Sequence, residues 1–138
     1  MNTKVYKRVH AIAIELLKAA EKDDADKFTT YYSELQALCE DNEADDTKNH
    51  PVQWETLADF SEDLDVATAL YLKALACAET IEASDYLASV NYALATIYHQ
   101  GEQLEPALQH ALQANKHAKD IVDGELRTEI KALLKSMR

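Results

Sequence analysis

The stretch Leu94–Ala114 reads LATIYHQGEQLEPALQHALQA, and its spacing is that of two helices joined by a tight turn. Upstream, Leu87, Val90, Leu94, Ile97 and Tyr98 recur at helical steps and share one face. Ser84 or Asp85 is expected to cap this helix, because both offer a side-chain oxygen to free backbone N–H groups. Gly101 is expected just past its end, where glycine relieves the left-handed turn that closes many helices. The second helix starts near Leu104, and Pro106 is tolerated in its first turn, where no N–H partner is lost. Leu108, Ala111, Leu112, Ala118, Ile121 and Val122 form its expected apolar face, and Gly124 is expected to stop it.

The same reading extends outward in both directions. Toward the N-terminus, a helix over about 3–21 carries Val5, Val9, Ile12 and Leu16, with Ala13, Leu17 and Ala20 beside them. Asp23 and Asp24 can cap the next helix, about 25–40, whose face holds Phe28, Tyr31, Tyr32, Leu35, Leu38 and Cys39. The polar run 41–49 is the longest connection. Pro51 then opens a short helix to Phe60, since proline suits a first turn. Its apolar residues are Val52, Trp54, Leu57, Ala58 and Phe60. A turn at Ser61-Glu62-Asp63 leads to a helix over about 64–82, with Leu64, Ala67, Leu70, Tyr71, Ala74, Leu75, Ala78 and Ile81 on its stripe. A last helix, about 125–137, shows Leu126, Ile130, Leu133, Leu134 and Met137. Lys131, Lys135 and Arg138 suit the negative end of its dipole. The expectation is an all-α protein of about seven antiparallel helices, arranged as a bundle or a repeat stack.

Composition agrees. The chain has 138 residues, 47% of them hydrophobic, but only two glycines and two prolines, too few turn residues for a β-protein of this length. No segment reaches the ~20 uncharged apolar residues of a membrane span. Lys4, Lys7 and Arg8 precede an apolar stretch, but His10, Glu15 and Lys18 interrupt it. It reads as an amphipathic helix of the mature protein and not as a signal peptide. Cys39 and Cys77 do not form a CxxC pair and are expected as two buried thiols in a reducing, cytoplasmic setting.

Pairing the helices exposes a repeat. Phe28, Tyr32 and Leu35 align with Ala67, Tyr71 and Ala74, then with Ala107, Ala111 and Ala114, at offsets of 39 and 40 residues. A steady period of this size signals stacked helical hairpins. The residues Leu94-Ala95, Tyr98, Gly101, Ala107, Ala111 and Ala114 resemble the tetratricopeptide-repeat (TPR) family, and Ala67, Tyr71 and Ala74-Leu75 resemble its second helix. Trp54, Leu57 and Ala58 look like its first-helix signature, set about three residues closer to Ala67 than usual. The period near 40 exceeds the family's usual ~34, and Gly101 sits one place early relative to Tyr98. The resemblance implies one domain of hairpins at about 3–41, 50–82 and 84–122, stacked as a short right-handed superhelix and closed by a C-terminal capping helix at about 125–137.

The net charge of −11 is unevenly spread. Between Glu40 and Asn115 there are fifteen acidic residues but only Lys48 and Lys73 as bases. An acidic middle repels a phosphate backbone, so nucleic acid is excluded as the main partner. No Gly-rich phosphate loop, HExxH, GxSxG or zinc-finger spacing occurs. His110 and His117 stand two helical turns, ~10 Å, apart and read as surface residues. The acidic run 40–46 lacks the alternating ligands and central glycine of a calcium loop. The expectation is no enzyme, no metal and no cofactor.

The family resemblance implies a binding groove lined by the first helix of each pair. Carried onto this chain, the groove positions are Ser89, Tyr92, Thr96 and His99, with Val52, Thr56 and Asp59 from the shorter helix. Tyr92 combines large area with a hydroxyl, a combination favoured at interfaces, although a place between helices accounts for it equally well. Asn91 lies near a carboxylate-clamp position of the family, but no lysine accompanies it. The expected function is a protein- or peptide-binding adaptor, its partner neutral or basic. The alternatives are an acidic inhibitor, immunity protein or dedicated chaperone for a basic partner, and a self-associating scaffold.

Overall fold

The computed structural model describes residues 3–137. Seven helices span them, with no strand among the described residues: α1 Thr3–Glu21, α2 Ala25–Asn42, α3 Pro51–Asp59, α4 Leu64–Thr80, α5 Ser84–Gln100, α6 Leu104–Ala118 and α7 Gly124–Ser136. The protein is all-α, as its periodicity requires. Arg138 lies outside the described residues. The chain forms two compact units, residues 1–70 and 71–138, with the division inside α4.

In the first unit α1, α2 and α3 each contact the other two. Val5, Val9, Ile12 and Leu16 are buried as the α1 spacing predicts. The fifth buried residue is Ala19, while Leu17 points outward. Leu35 and Cys39 of α2 are fully buried, as are Trp54, Leu57 and Ala58 of α3 to within a few per cent. The long connection is tied down by side chains. The Asn42 Nδ2 donates to Gln53 Oε1 at 3.1 Å, and Gln53 Nε2 donates to Asn49 Oδ1 at 3.0 Å. Trp54 Nε1 donates to the same Asn49 oxygen at 2.7 Å. Gln53 is wholly buried, and burial is tolerable because both ends of its amide are satisfied.

In the second unit α5 and α6 form a hairpin, and α7 packs against both. Its core holds Ala88, Ala95, Ala111, Ala114, Ala118, Ile121, Ile130 and Leu134. Of the expected α6 stripe, Ala111, Ala118 and Ile121 are buried, but the helix ends at Ala118, so Ile121 and Val122 lie beyond it. Leu108 and Leu112 are exposed and Val122 almost completely so, while Ala107, Ala111, Ala114 and Ala118 are buried. On α4 likewise, Ala67, Tyr71, Ala74 and Ala78 are buried, whereas Leu64 is exposed, as is Ile81 just past the helix end. The small residues face inward because they let two helix backbones approach closely. Cys77 is half-buried, so only Cys39 is the buried thiol expected.

Three connections share one design. Residues 22–24, 81–83 and 101–103 are three-residue turns whose middle residue has positive φ: Asp23 at 53°, Glu82 at 53° and Glu102 at 60°. In each, the N–H of the third residue reaches back five positions, to Ala19, Ala78 or Tyr98 O. This is the Schellman closure. Gly101 therefore does not take the left-handed position; its φ is −84°, and Glu102, one place later, takes it. Ala83, not Ser84 or Asp85, occupies the α5 cap, and no side chain caps it. Gly124 opens α7 and does not stop α6; Asp123 caps α7 by accepting the Leu126 N–H at 3.0 Å. The expected Asp24 cap of α2 is present, accepting the Lys27 N–H at 3.1 Å.

Candidate functional site

Helix α5 contributes to two different candidate surfaces. Six of its residues are buried: Leu87, Ala88, Val90, Asn91, Leu94 and Ala95. Ser89, Tyr92, Thr96 and His99, the expected groove positions, are all half-buried. Their steps of three, four and three place them on one face. Tyr92 packs against the α5–α6–α7 core, so its ring is split between interior and surface. Thr96 Oγ1 donates to the Tyr92 carbonyl at 2.9 Å. Thr56 and Asp59 belong to α3 in the first unit, half-buried and exposed respectively, and Val52 is half-buried there.

The other surface is an open cleft of about 820 Å³ in the second unit. Leu75 and Glu79 of α4, Leu87 and Asn91 of α5, and His110, Leu112, Gln113 and Lys116 of α6 line it, with Glu82, Ser84 and Asp120 at its edges. None of the groove residues inferred from the repeat pattern borders this cleft. Its fixed element is a polar pair. Asn91 is almost fully buried. Its Nδ2 donates to the Leu87 carbonyl at 2.8 Å, and its Oδ1 lies 2.8 Å from His110 Nδ1. A carbonyl only accepts, so Asn91 must turn its amide nitrogen to Leu87 and its oxygen to His110. His110 Nδ1 then carries the hydrogen, and its Nε2 is the acceptor in the neutral ring. Tyr98 stacks on the imidazole, 5.6 Å between centroids and 13° between planes.

Burial lowers the His110 pKa below the ordinary histidine value, which favours that neutral ring. His110 is therefore a half-buried, oriented side chain and not the plain surface histidine expected. The cleft offers an acceptor nitrogen, the Gln109 and Gln113 amides, and charges of both signs from Glu79, Glu82, Lys116 and Asp120. Among the described residues, no three His, Cys, Asp or Glu side chains stand close enough together to hold a metal ion. Sequence reading passed over the Asn91–His110 pair because its partners lie nineteen positions apart on different helices. The available signal was a lone Asn on an apolar stripe, between Leu87 and Leu94.

Compared with known proteins, the chain matches no family model, and no curated protein or solved structure is significantly similar to it.

Proposed function

We propose that this protein is a TPR-like protein- or peptide-binding adaptor, not an enzyme, and that it receives its ligand along the α5 face that carries Ser89, Tyr92, Thr96 and His99. One observation carries the reading. Ser89, Tyr92, Thr96 and His99 share one face of α5 and stay half-buried, as Tyr86, Ala93, Ile97 and Tyr98 of the same helix do, and Tyr92 and His99 bring a phenol ring and an imidazole to that face. Such a mixture of aromatic area and adaptable polar groups suits a short peptide better than a covalent reaction. Burial of two of the three aligned rows, Ala67, Tyr71 and Ala74 and then Ala107, Ala111 and Ala114, supports the repeat-like packing, while in the first row Leu35 is buried and Phe28 and Tyr32 are half-buried. The acidic middle of the chain makes a basic or neutral ligand the better fit.

The test is selection from a displayed peptide library, followed by chemical-shift mapping of the recovered peptides. The competing variant is Thr96→Val with His99→Ala, which leaves Tyr92 on the core. Shifts along α5, with affinity reduced about tenfold (about 1.4 kcal/mol) in the variant, uphold the reading. Shifts confined to the cleft beside Asn91 and His110 refute the α5 groove, as does unchanged affinity.

A further inference from the structure

The first unit contains an aromatic recess unrelated to the α5 groove. Its lining is Phe28, Thr29 and Tyr32 of α2, Phe60 and Ser61 after α3, and Glu62, Asp63 and Val66 at the start of α4. The volume is about 270 Å³, the scale of one large side chain. Phe28 and Tyr32 sit one helical turn apart with their rings nearly parallel, 6.3 Å between centroids and 17° between planes. Phe60 meets Phe28 edge-on at 6.2 Å and 64°. All three rings are half-buried.

The rings are held in place. Tyr32 Oη is 2.7 Å from Ser61 Oγ, and Ser61 Oγ donates to the Leu57 carbonyl at 2.7 Å. Ser61 has a single hydroxyl hydrogen, and Leu57 takes it. The Tyr32 hydroxyl must therefore donate to Ser61, which fixes the ring that walls the recess. The rim is negative. Glu62 is exposed, and its side chain has no hydrogen-bond or ion-pair partner among the described residues. Asp63 uses one carboxylate oxygen, Oδ1, to accept the Asp65 and Val66 N–H groups at 2.9 and 3.1 Å. Among the described residues, no lysine, arginine or histidine lines the recess.

We infer that the recess is a docking site for an arginine side chain presented by a partner protein. The argument is charge complementarity joined to shape. Aromatic faces attract a cation through their quadrupole, and a planar guanidinium stacks on such faces where a compact ammonium does not. Glu62 stands where it can accept the guanidinium's N–H groups as a charge-assisted pair. Val66, 45% exposed, extends the rim with apolar surface, so the arginine's neighbours should be apolar. The site lies in a different unit from the α5 face, and its occupancy does not depend on that face binding anything.

The experiment uses the full chain, isotope-labelled, with two blocked tripeptides: acetyl-Leu-Arg-Leu-amide and the same peptide with norleucine for arginine. The arginine peptide should shift resonances at residues 28–32 and 60–66, with weak, salt-sensitive affinity that falls severalfold between about 0.02 M and about 0.5 M salt. The norleucine peptide should not shift them. Glu62→Gln and Phe28→Leu should each weaken binding about threefold or more. Glu62→Gln should do so without moving the thermal midpoint, since that exposed side chain makes no hydrogen bond or ion pair among the described residues. Equal binding of the norleucine peptide overturns the inference by making the recess merely apolar. Absent shifts, or shifts only along α5, also overturn it. Concentration-dependent shifts at the same residues without peptide would give the recess to a second copy, and again overturn it.

Discussion

The two units hold themselves together by different means. The first buries large side chains and a polar network: Leu16, Leu35 and Leu57 with Trp54, and the chain of amides from Asn42 through Gln53 to Asn49. The second buries alanines and brings backbones close: Ala88, Ala95, Ala111 and Ala114 are all fully buried. One repeat position shows the contrast directly. Leu35 of α2 aligns with Ala114 of α6, and both are fully buried. The same register is thus filled by volume in one unit and by proximity in the other. Aligned positions can share burial without sharing residue size.

Opposite substitutions at that position would break the comparison most sharply. Leu35→Ala should cost about 2–5 kcal/mol through lost burial and a residual cavity. Ala114→Leu should cost about 1–3 kcal/mol by forcing apart helices already in contact. Urea unfolding reads both. A neutral Ala114→Leu would mean that α5 and α6 leave slack between them, and the idea of packing by proximity would fail. The polar network gives the next effect. Asn49→Ala removes the acceptor of both Trp54 Nε1 and Gln53 Nε2, so about 1–3 kcal/mol should be lost for the stranded donors. Trp54 is the only tryptophan and is 3% exposed, so its fluorescence follows the first unit. Asn91→Ala should cost less, because His110, the donor it strands, is half-exposed and can turn to water.

Each unit also contains a histidine whose pKa burial pushes below the ordinary value, His50 in the first and His110 in the second. The unfolded chain therefore takes up protons before the folded one as pH falls. Stability from both groups is intact above about pH 6.5, the unperturbed histidine value, and declines as pH drops below it toward the lowered folded values. The two should differ in mechanism. His50 Nδ1 accepts the Val52 N–H that starts α3, at 3.1 Å, and a protonated ring cannot accept. His110 Nδ1 donates to Asn91 in either state. Acid should therefore loosen the first unit more. Comparing urea midpoints at about pH 7.5 and about pH 5.5, His50→Ser should retain the cap and abolish most of the loss, and His110→Gln should abolish less. The opposite order would show that desolvation alone, not the cap, governs the response.

Much of the fold was legible. Helix limits came within two or three residues, except the end of α6, which was expected near 122 and falls at Ala118, because apolar steps of three and four survive any surface composition. Hydropathy misled where size mattered more: it put Leu108 and Leu112 inside α6, whereas the repeat alignment picked the alanines that are buried there. The candidate site was less legible. A polar residue on an apolar stripe signals burial only once its partner is known, and His110, Ser61 and Asn49 meet their partners through tertiary packing. The same holds for the aromatic recess, whose rings come from segments about thirty residues apart.

The smallest expected effect concerns the turns, where the units agree. Asp23 in the first unit, and Glu82 and Glu102 in the second, all adopt positive φ, a conformation that costs an L-residue about 1–2 kcal/mol. Glycine avoids that cost but loses more backbone entropy on folding, about 0.5–1 kcal/mol. Asp23→Gly, Glu82→Gly and Glu102→Gly should therefore each stabilise the protein by up to about 1.5 kcal/mol, the difference between the two terms, a rise of at most about 6 °C in the thermal midpoint. Gly101 supplies the control one residue away. Its φ is already negative, and an added Cβ would come no closer than 3.5 Å, to the Ile97 carbonyl oxygen. Gly101→Ala should be neutral or stabilising. Moving the glycine from 101 to 102 should thus gain at both positions. If Glu102→Gly lowers the midpoint instead, the carboxylate at that turn makes a contribution that outweighs its backbone cost, and the three turns are not equivalent.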